Sequence, residues 1–245
     1  MSNAGNEEIR DFGRTGISLP TSQNSVRVQW RRATGLALIS GYVDSYTLLK
    51  FGVFASFMSG NTTTTGLHAG RARLAAAGHT FLPIPFFVLG IFMGTLLVQA
   101  DQRHELRRIS ALVAAMLTVG TAAAYLAWPG WLSIMILSTA MGILSTSITH
   151  VGGQAVSLGF VTGDLNSLAK HLAMGVKRAP MTQSQGSWDT HWRRAALLAS
   201  LWAAFLGGAT LGTALASRLA VWTLLLPALT LLVLPPLKRA TISDA

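Results

Sequence analysis

The 245-residue chain has no cysteine and little charge: Asp, Glu, Lys and Arg together make up 11% of it. Without cysteine there is no disulfide framework and no thiolate chemistry. A soluble domain carries roughly 25% charged residues, so a chain this size with so little charge could not cover a water-facing surface. Acidic residues are the scarcer sign, 9 against 19 basic ones, for a net charge of +10. The first thirty residues lack an apolar h-region, so no cleavable signal peptide is expected. Alternating ten-residue strands, which a membrane barrel would need, are absent as well.

What is present is apolar: 51% of the residues are hydrophobic. Several runs approach the roughly 20 residues that cross a bilayer. The expected class is an all-α polytopic membrane protein whose first partner is the lipid bilayer. The basic residues sit at the ends of the apolar runs, where they act as topology signals. No solvated basic face remains for nucleic acid.

Along the chain, residues 1–29 read as a polar N-terminal tail, 30–130 as a first membrane unit, 131–237 as a second with a polar loop at 174–192, and 238–245 as a C-terminal tail. The two units look like repeats. Phe57-Met58-Ser59-Gly60-Asn61-Thr62 through His68 aligns without gaps with Phe160-Val161-Thr162-Gly163-Asp164-Leu165 through His171, at an offset of 103. Phe87, Gly90, Gly94, Thr95 and Leu97 align with Phe205, Gly208, Gly212, Thr213 and Leu215, at an offset of 118. Two blocks in the same order are the mark of an internal duplication.

The motif segments are too polar for ordinary spans and have glycine at their centre, which suits broken or re-entrant helices beside a cavity. If neither crosses, about six transmembrane helices remain and the halves are inverted. If both cross, there are eight and the halves are parallel. The basic residues divide almost equally between the two readings, and the polarity of the motifs favours six. In that reading the N-terminus, with Arg27, Arg31 and Arg32, is cytoplasmic.

Two acids fall at membrane depth, Asp44 and Asp164. An ionised carboxylate at the bilayer centre costs at least ~2.5–3.5 kcal/mol, so such residues face a bundle interior or a watery cavity. At the motif offset Asp44 aligns with Ser147 and Asn61 with Asp164, so each half keeps one acid. The candidate substrate- or ion-binding residues are Asp44, Ser59, Gly60, Asn61, Thr62, Thr162, Gly163, Asp164 and Asn166, with His68 and His171 as candidate proton-relay groups. Each has a structural alternative. The acids could cap helices by accepting backbone N–H bonds, the glycines could be packing contacts, and the threonine hydroxyls could bond back to their own helix. The histidines could sit at headgroup level. The pairs Gly90/Gly94 and Gly208/Gly212 read as helix-packing faces, within the bundle or in a homo-oligomer. Trp128, Trp131, Trp192 and Trp222 read as interfacial anchors. No metal-ligand spacing, phosphate loop or nucleophile–base arrangement is present, so no cofactor and no enzymatic activity are expected.

Gly41-Tyr42-Val43-Asp44-Ser45-Tyr46, then Phe54 and Ser56-Phe57-Met58-Ser59-Gly60-Asn61, resembles the YoaK family of bacterial membrane proteins, a domain of unknown function. The later Gly159-Phe160-Val161-Thr162-Gly163-Asp164-Leu165 is similar to that family's second motif. The resemblance covers 33–237 and implies a multi-pass protein of the bacterial cytoplasmic membrane with about six helices. It implies no substrate. From the residues, the leading expectation is a transporter or channel for a small polar solute or ion. The alternative is a membrane assembly partner or sensor whose motifs are packing devices.

Overall fold

The computed structural model describes residues 23–100, 105–159, 161–181 and 184–233. About four-fifths of them are helical. The elements are α1 (Gln23–Phe51), α2 (Met58–Gly70), α3 (Leu74–Phe81), α4 (Pro83–Ala100), α5 (Glu105–Tyr125), α6 (Gly130–Ser145), a hairpin of β1 (His150–Val151) and β2 (Gln154–Ala155), α7 (Val161–Val176), α8 (His191–Leu219), a 3-10 turn (Ala220–Leu224) and α9 (Leu225–Val233). Among the described residues, three stretches are long and apolar enough to cross a membrane: Leu74–Val98, Leu106–Tyr125 and His191–Val233. Gly130–Ser145 is a shorter apolar helix. The last long stretch is not one straight rod. Ala220 has φ +48°, and the 3-10 turn there redirects the chain between α8 and α9.

The first helix begins earlier than its composition suggests. Residues 23–29 were expected to belong to the tail, yet they form the opening turns of α1. Tertiary contacts override their polarity: Val26 is buried, Gln29 Oε1 accepts from the Gly152 N–H, and Trp30 Nε1 donates to Ser200 Oγ. The rest of the expected N-terminal tail, residues 1–22, and the expected C-terminal tail, residues 238–245, lie outside the described residues. The expected loop at 174–192 is shorter: α7 extends to Val176 and α8 begins at His191.

Glycine decides which helices touch. A Cβ on Gly41 would collide with the Phe205 carbonyl, one on Gly208 with the Leu38 carbonyl, and one on Gly212 with Ser45 Oγ. These glycines bring the backbones of α1 and α8 into direct contact. A Cβ on Gly90 would collide with the Thr139 carbonyl and one on Gly142 with the Phe87 carbonyl, while one on Gly94 would lie 2.5 Å from Thr146 Oγ1. These join α4 to α6. The helix-packing reading of the four expected glycines therefore holds within the chain. Gly90 and Gly94 are covered by α6, and Gly208 and Gly212 by α1. Between the two helix pairs lies an aliphatic core that includes Leu36, Ile109, Leu117, Leu137, Leu144 and Leu198.

The contacts also fix two rims. Phe51, at the end of α1, accepts a hydrogen bond at its carbonyl from His79 Nε2 of α3. A Cβ on Gly130, at the start of α6, would lie 3.4 Å from the Phe51 ring. The start of α1 instead meets Gly152, just after α6. So α1 and α6 run in opposite directions. Trp128, Trp131, Trp192 and Trp222 are all exposed.

Candidate functional site

After α1 the chain turns at Gly52, where φ is +71°, a conformation glycine adopts without strain. It then doubles back along the helix it has left. Asp44 is 2% exposed and holds this linker. Its Oδ1 accepts from the Ser56 N–H at 2.6 Å, and its Oδ2 accepts from Ser56 Oγ at 2.7 Å. Asn61, on the first turn of α2, grips the same linker from the other end. Its Oδ1 accepts from the Phe54 N–H at 3.0 Å, and its Nδ2 donates to the Phe54 carbonyl at 2.7 Å. Buried backbone groups must find partners, and here two side chains supply them to a segment with no regular structure.

The second motif shares one bond of this arrangement. Asp164, 7% exposed on the first turn of α7, accepts at Oδ1 from the Ser157 N–H at 3.4 Å. Ser157 stands seven residues before Asp164, as Phe54 stands seven before Asn61. The two linkers touch. A Cβ on Gly159 would lie 3.2 Å from Ser56 Oγ and 3.3 Å from Ser56 Cβ. A contact path thus runs from Asp44 through Ser56 to Gly159, two residues from the Ser157 N–H that Asp164 binds.

The other expected residues are placed differently. Gly60 was expected to break its helix and does not: α2 runs from Met58 to Gly70 through it, and α7 runs from Val161 to Val176 through Gly163. The breaks fall before the motifs, in the linkers. Gly60 is there because Phe57 folds over it, and a Cβ would lie 2.5 Å from the Phe57 ring. Ser59, Thr62, Thr162 and Asn166 are exposed on α2 and α7. The Thr62, Thr63 and Thr64 hydroxyls donate to the carbonyls of Met58, Ser59 and Gly60, satisfying themselves within their own helix.

His68 is half-buried, with Nδ1 unpartnered. His171, its counterpart, sits near the far end of α7 in a cluster the motif gave no hint of. It contacts His191 and Gln154, beside an ion pair in which Arg194 donates to both oxygens of Asp189 at 3.0 and 2.7 Å. Burial by itself would raise the Asp189 carboxyl. The hydrogen bonds from Arg194 and the Gln185 N–H, with the charges of Arg194 and Arg193, outweigh it and hold that group below the usual carboxylate range. Ser56, Ser157, His191, Gln154 and Asp189 were not singled out from the sequence. Ser56 carried a signal as part of the first motif of the resemblance, and Ser157 because it lies 103 residues after Phe54. Among the described residues, no group of three or more His, Asp or Glu could hold a metal ion.

Apolar helices long enough to span a bilayer, packed through glycine and enclosing buried acids, define an α-helical membrane protein. The chain belongs to the family described as "Protein of unknown function (DUF1275)", whose model matches residues 33–235. It is 30% identical to the UPF0700 transmembrane protein RA0705 of Rhizobium meliloti (strain 1021) over 82% of this chain and 86% of that one. It is 28% identical to the UPF0700 transmembrane protein YoaK of Bacillus subtilis (strain 168), over 56% of this chain and 64% of that one. No solved structure matches it.

Proposed function

We propose that the protein is a channel or carrier for a small polar solute or ion, built from two inverted halves with six crossings. In this reading α2 and α7 are re-entrant half-helices that start together in mid-membrane and leave toward opposite rims. The observation that carries it is the contact between Ser56 and Gly159, the residues just before the two motif helices. Two helix N-termini brought together present their partial positive charges and free N–H groups to one place. Two buried carboxylates, Asp44 and Asp164, stand beside that place. Discontinuous helices meeting at mid-depth are how membrane carriers build polar sites.

The glycine contacts support the inverted halves. Gly41–Phe205, Leu38–Gly208 and Tyr42–Gly212 correspond one for one to Gly142–Phe87, Thr139–Gly90 and Ile143–Gly94. The correspondence between α1 and α6 runs at an offset of 101, not the 103 of the motifs. On this footing Asp44 pairs with Ser145 rather than Ser147, and the hairpin supplies the two extra residues. The rim at the start of α1 also carries Lys177, Arg178, Arg193 and Arg194, while Lys50, Arg71, Arg73 and Arg218 lie toward the other. By the positive-inside rule the N-terminus is cytoplasmic, and the membrane is the bacterial inner membrane.

A second reading rests on one specific observation: both oxygens of Asp44 and both polar atoms of Asn61 are committed to backbone or serine partners. That suits a structural clamp in an assembly partner or sensor. Flux in proteoliposomes decides between the two. A transporter moves at least one member of a panel of small polar metabolites and inorganic ions, and Asp164→Asn slows it at least tenfold while the protein stays folded. Absence of flux across the whole panel would leave the clamp reading.

A further inference from the structure

The cluster at the end of α7 fixes its own protons. Gln154 is 8% exposed, and its Nε2 donates to the Ala155 carbonyl at 2.8 Å. That orients the amide, so its Oε1 faces His171 Nε2, 2.8 Å away. An amide oxygen only accepts, so His171 Nε2 carries a proton. The other nitrogen of a neutral His171, Nδ1, is then an acceptor. It lies 2.9 Å from His191 Nδ1, so His191 must donate there. A neutral His191 with its proton on Nδ1 leaves a bare lone pair on Nε2. That atom is buried and has no hydrogen-bond partner.

We propose that His191 Nε2 is a proton-binding site, and that His191 and His171 form a one-proton latch between α8 and α7. The first proton enters at Nε2. It turns the His191–His171 bond into an imidazolium–imidazole bond, which is shorter and stronger than the neutral one. A second proton has only His171 Nδ1 to occupy, and placing it there removes the acceptor and parts the rings. The charged groups acting on His171 besides His191 are Arg194 on α8 and Asp189 just before it. Asp189 is already paired to Arg194 at 2.7 Å, so the second positive charge finds no free counter-ion there. The third side of the pair is the neutral Gln154 of the hairpin.

The latch therefore holds with no proton or one and opens with two. What opens is the junction of α7, α8 and the hairpin, the end of the motif helix farthest from Asp164. This inference does not rest on transport: it concerns protons on named nitrogens and is read with no solute present.

The test is nitrogen NMR on full-length protein in lipid nanodiscs, with 15N-labelled histidine, assigned by His→Gln variants at 68, 79, 104 and 150. At pH 9, His191 should carry its proton on Nδ1 and His171 on Nε2, with a measurable coupling between the two Nδ1 nitrogens. On acidification the two rings should respond together, the first added proton appearing on His191 Nε2 and the second abolishing the coupling. Gln154→Ala should release the His171 tautomer without unfolding the protein. A His191 proton on Nε2 at high pH would overturn the proposal, as would two rings titrating independently in single steps. So would stoichiometric uptake of added Zn2+ that displaces the shared proton, which would make the pair a metal site.

Discussion

Ser56 and Gly159 lie against each other, with room between them for no more than a methyl group: a Cβ on Gly159 would stand 3.3 Å from Ser56 Cβ and 3.2 Å from its carbonyl oxygen. Each stands two residues before the start of a motif helix, so the spacing of α2 and α7 is set at this point. Gly159→Ala should be tolerated with a small loss. Gly159→Leu should wedge the linkers apart at a cost of about 1–3 kcal/mol, the usual range for overpacking. Thermal melts in detergent check this, and the leucine variant should fall by several degrees while the alanine variant barely moves.

The neighbours Gly207 and Gly208 should answer the same change with opposite signs. Nothing lies within 4 Å of a Cβ on Gly207, so Gly207→Ala should stabilise α8 by about 0.5–1 kcal/mol through helix propensity. Gly208 faces the Leu38 carbonyl, and Gly208→Ala should cost about 1–3 kcal/mol as α1 is pushed away. Gly90→Ala, against Thr139, should behave like Gly208→Ala. Melting temperatures of the three variants rank them.

Asp164→Asn keeps an oxygen for the Ser157 N–H, and so should leave stability within about 0.5 kcal/mol of wild type, a change of surface-substitution size. Asp164→Ala leaves that N–H without its partner and should cost about 1–3 kcal/mol. Asn61→Ala abandons both the N–H and the carbonyl of Phe54 and should cost more than Asp164→Ala. Melting of these variants beside flux separates clamp from site: a flux lost in Asp164→Asn at unchanged stability is a loss of charge.

Asp189 makes the loop before α8 sensitive to acid. Its carboxyl is held low by Arg194, so the unfolded chain binds a proton there more readily than the folded one. The stability it contributes is fully present above the unfolded value near pH 4 and is lost as pH falls through the lower folded value. Melting should therefore drop below about pH 4, and this part of the drop should vanish in Asp189→Asn. At neutral pH that variant should already be weakened by about 1–3 kcal/mol, because the Arg194 guanidinium exchanges a two-oxygen carboxylate for a neutral amide with one acceptor.

The membrane class was legible because the scarcity of charge leaves no soluble alternative. The glycine pairs told that backbones would touch, but a contact surface does not name its partner, and α1 and α6 proved to be the partners. The acids were found for a sound reason, their cost at depth, while the use of Asp44 depended on Gly52 turning the chain back on itself. Position 60 stayed open because glycine suits either a helix break or a close contact, and here it is the floor under Phe57. The pair at His171 was out of reach, since His191 and Gln154 come from segments the motif does not include.

The glycine contacts between distant helices bear on how the chain is made. Helix α1 presents Gly41 to Phe205 of α8, and α4 presents Gly90 to Thr139 of α6, so early helices find their tightest partners late in the chain. A ribosome that has finished only α1 to α5 has released segments whose tightest partners do not yet exist. Those segments must wait in the bilayer until α6 and α8 insert. Either half expressed singly should be degraded, and the two co-expressed as separate polypeptides should rescue one another.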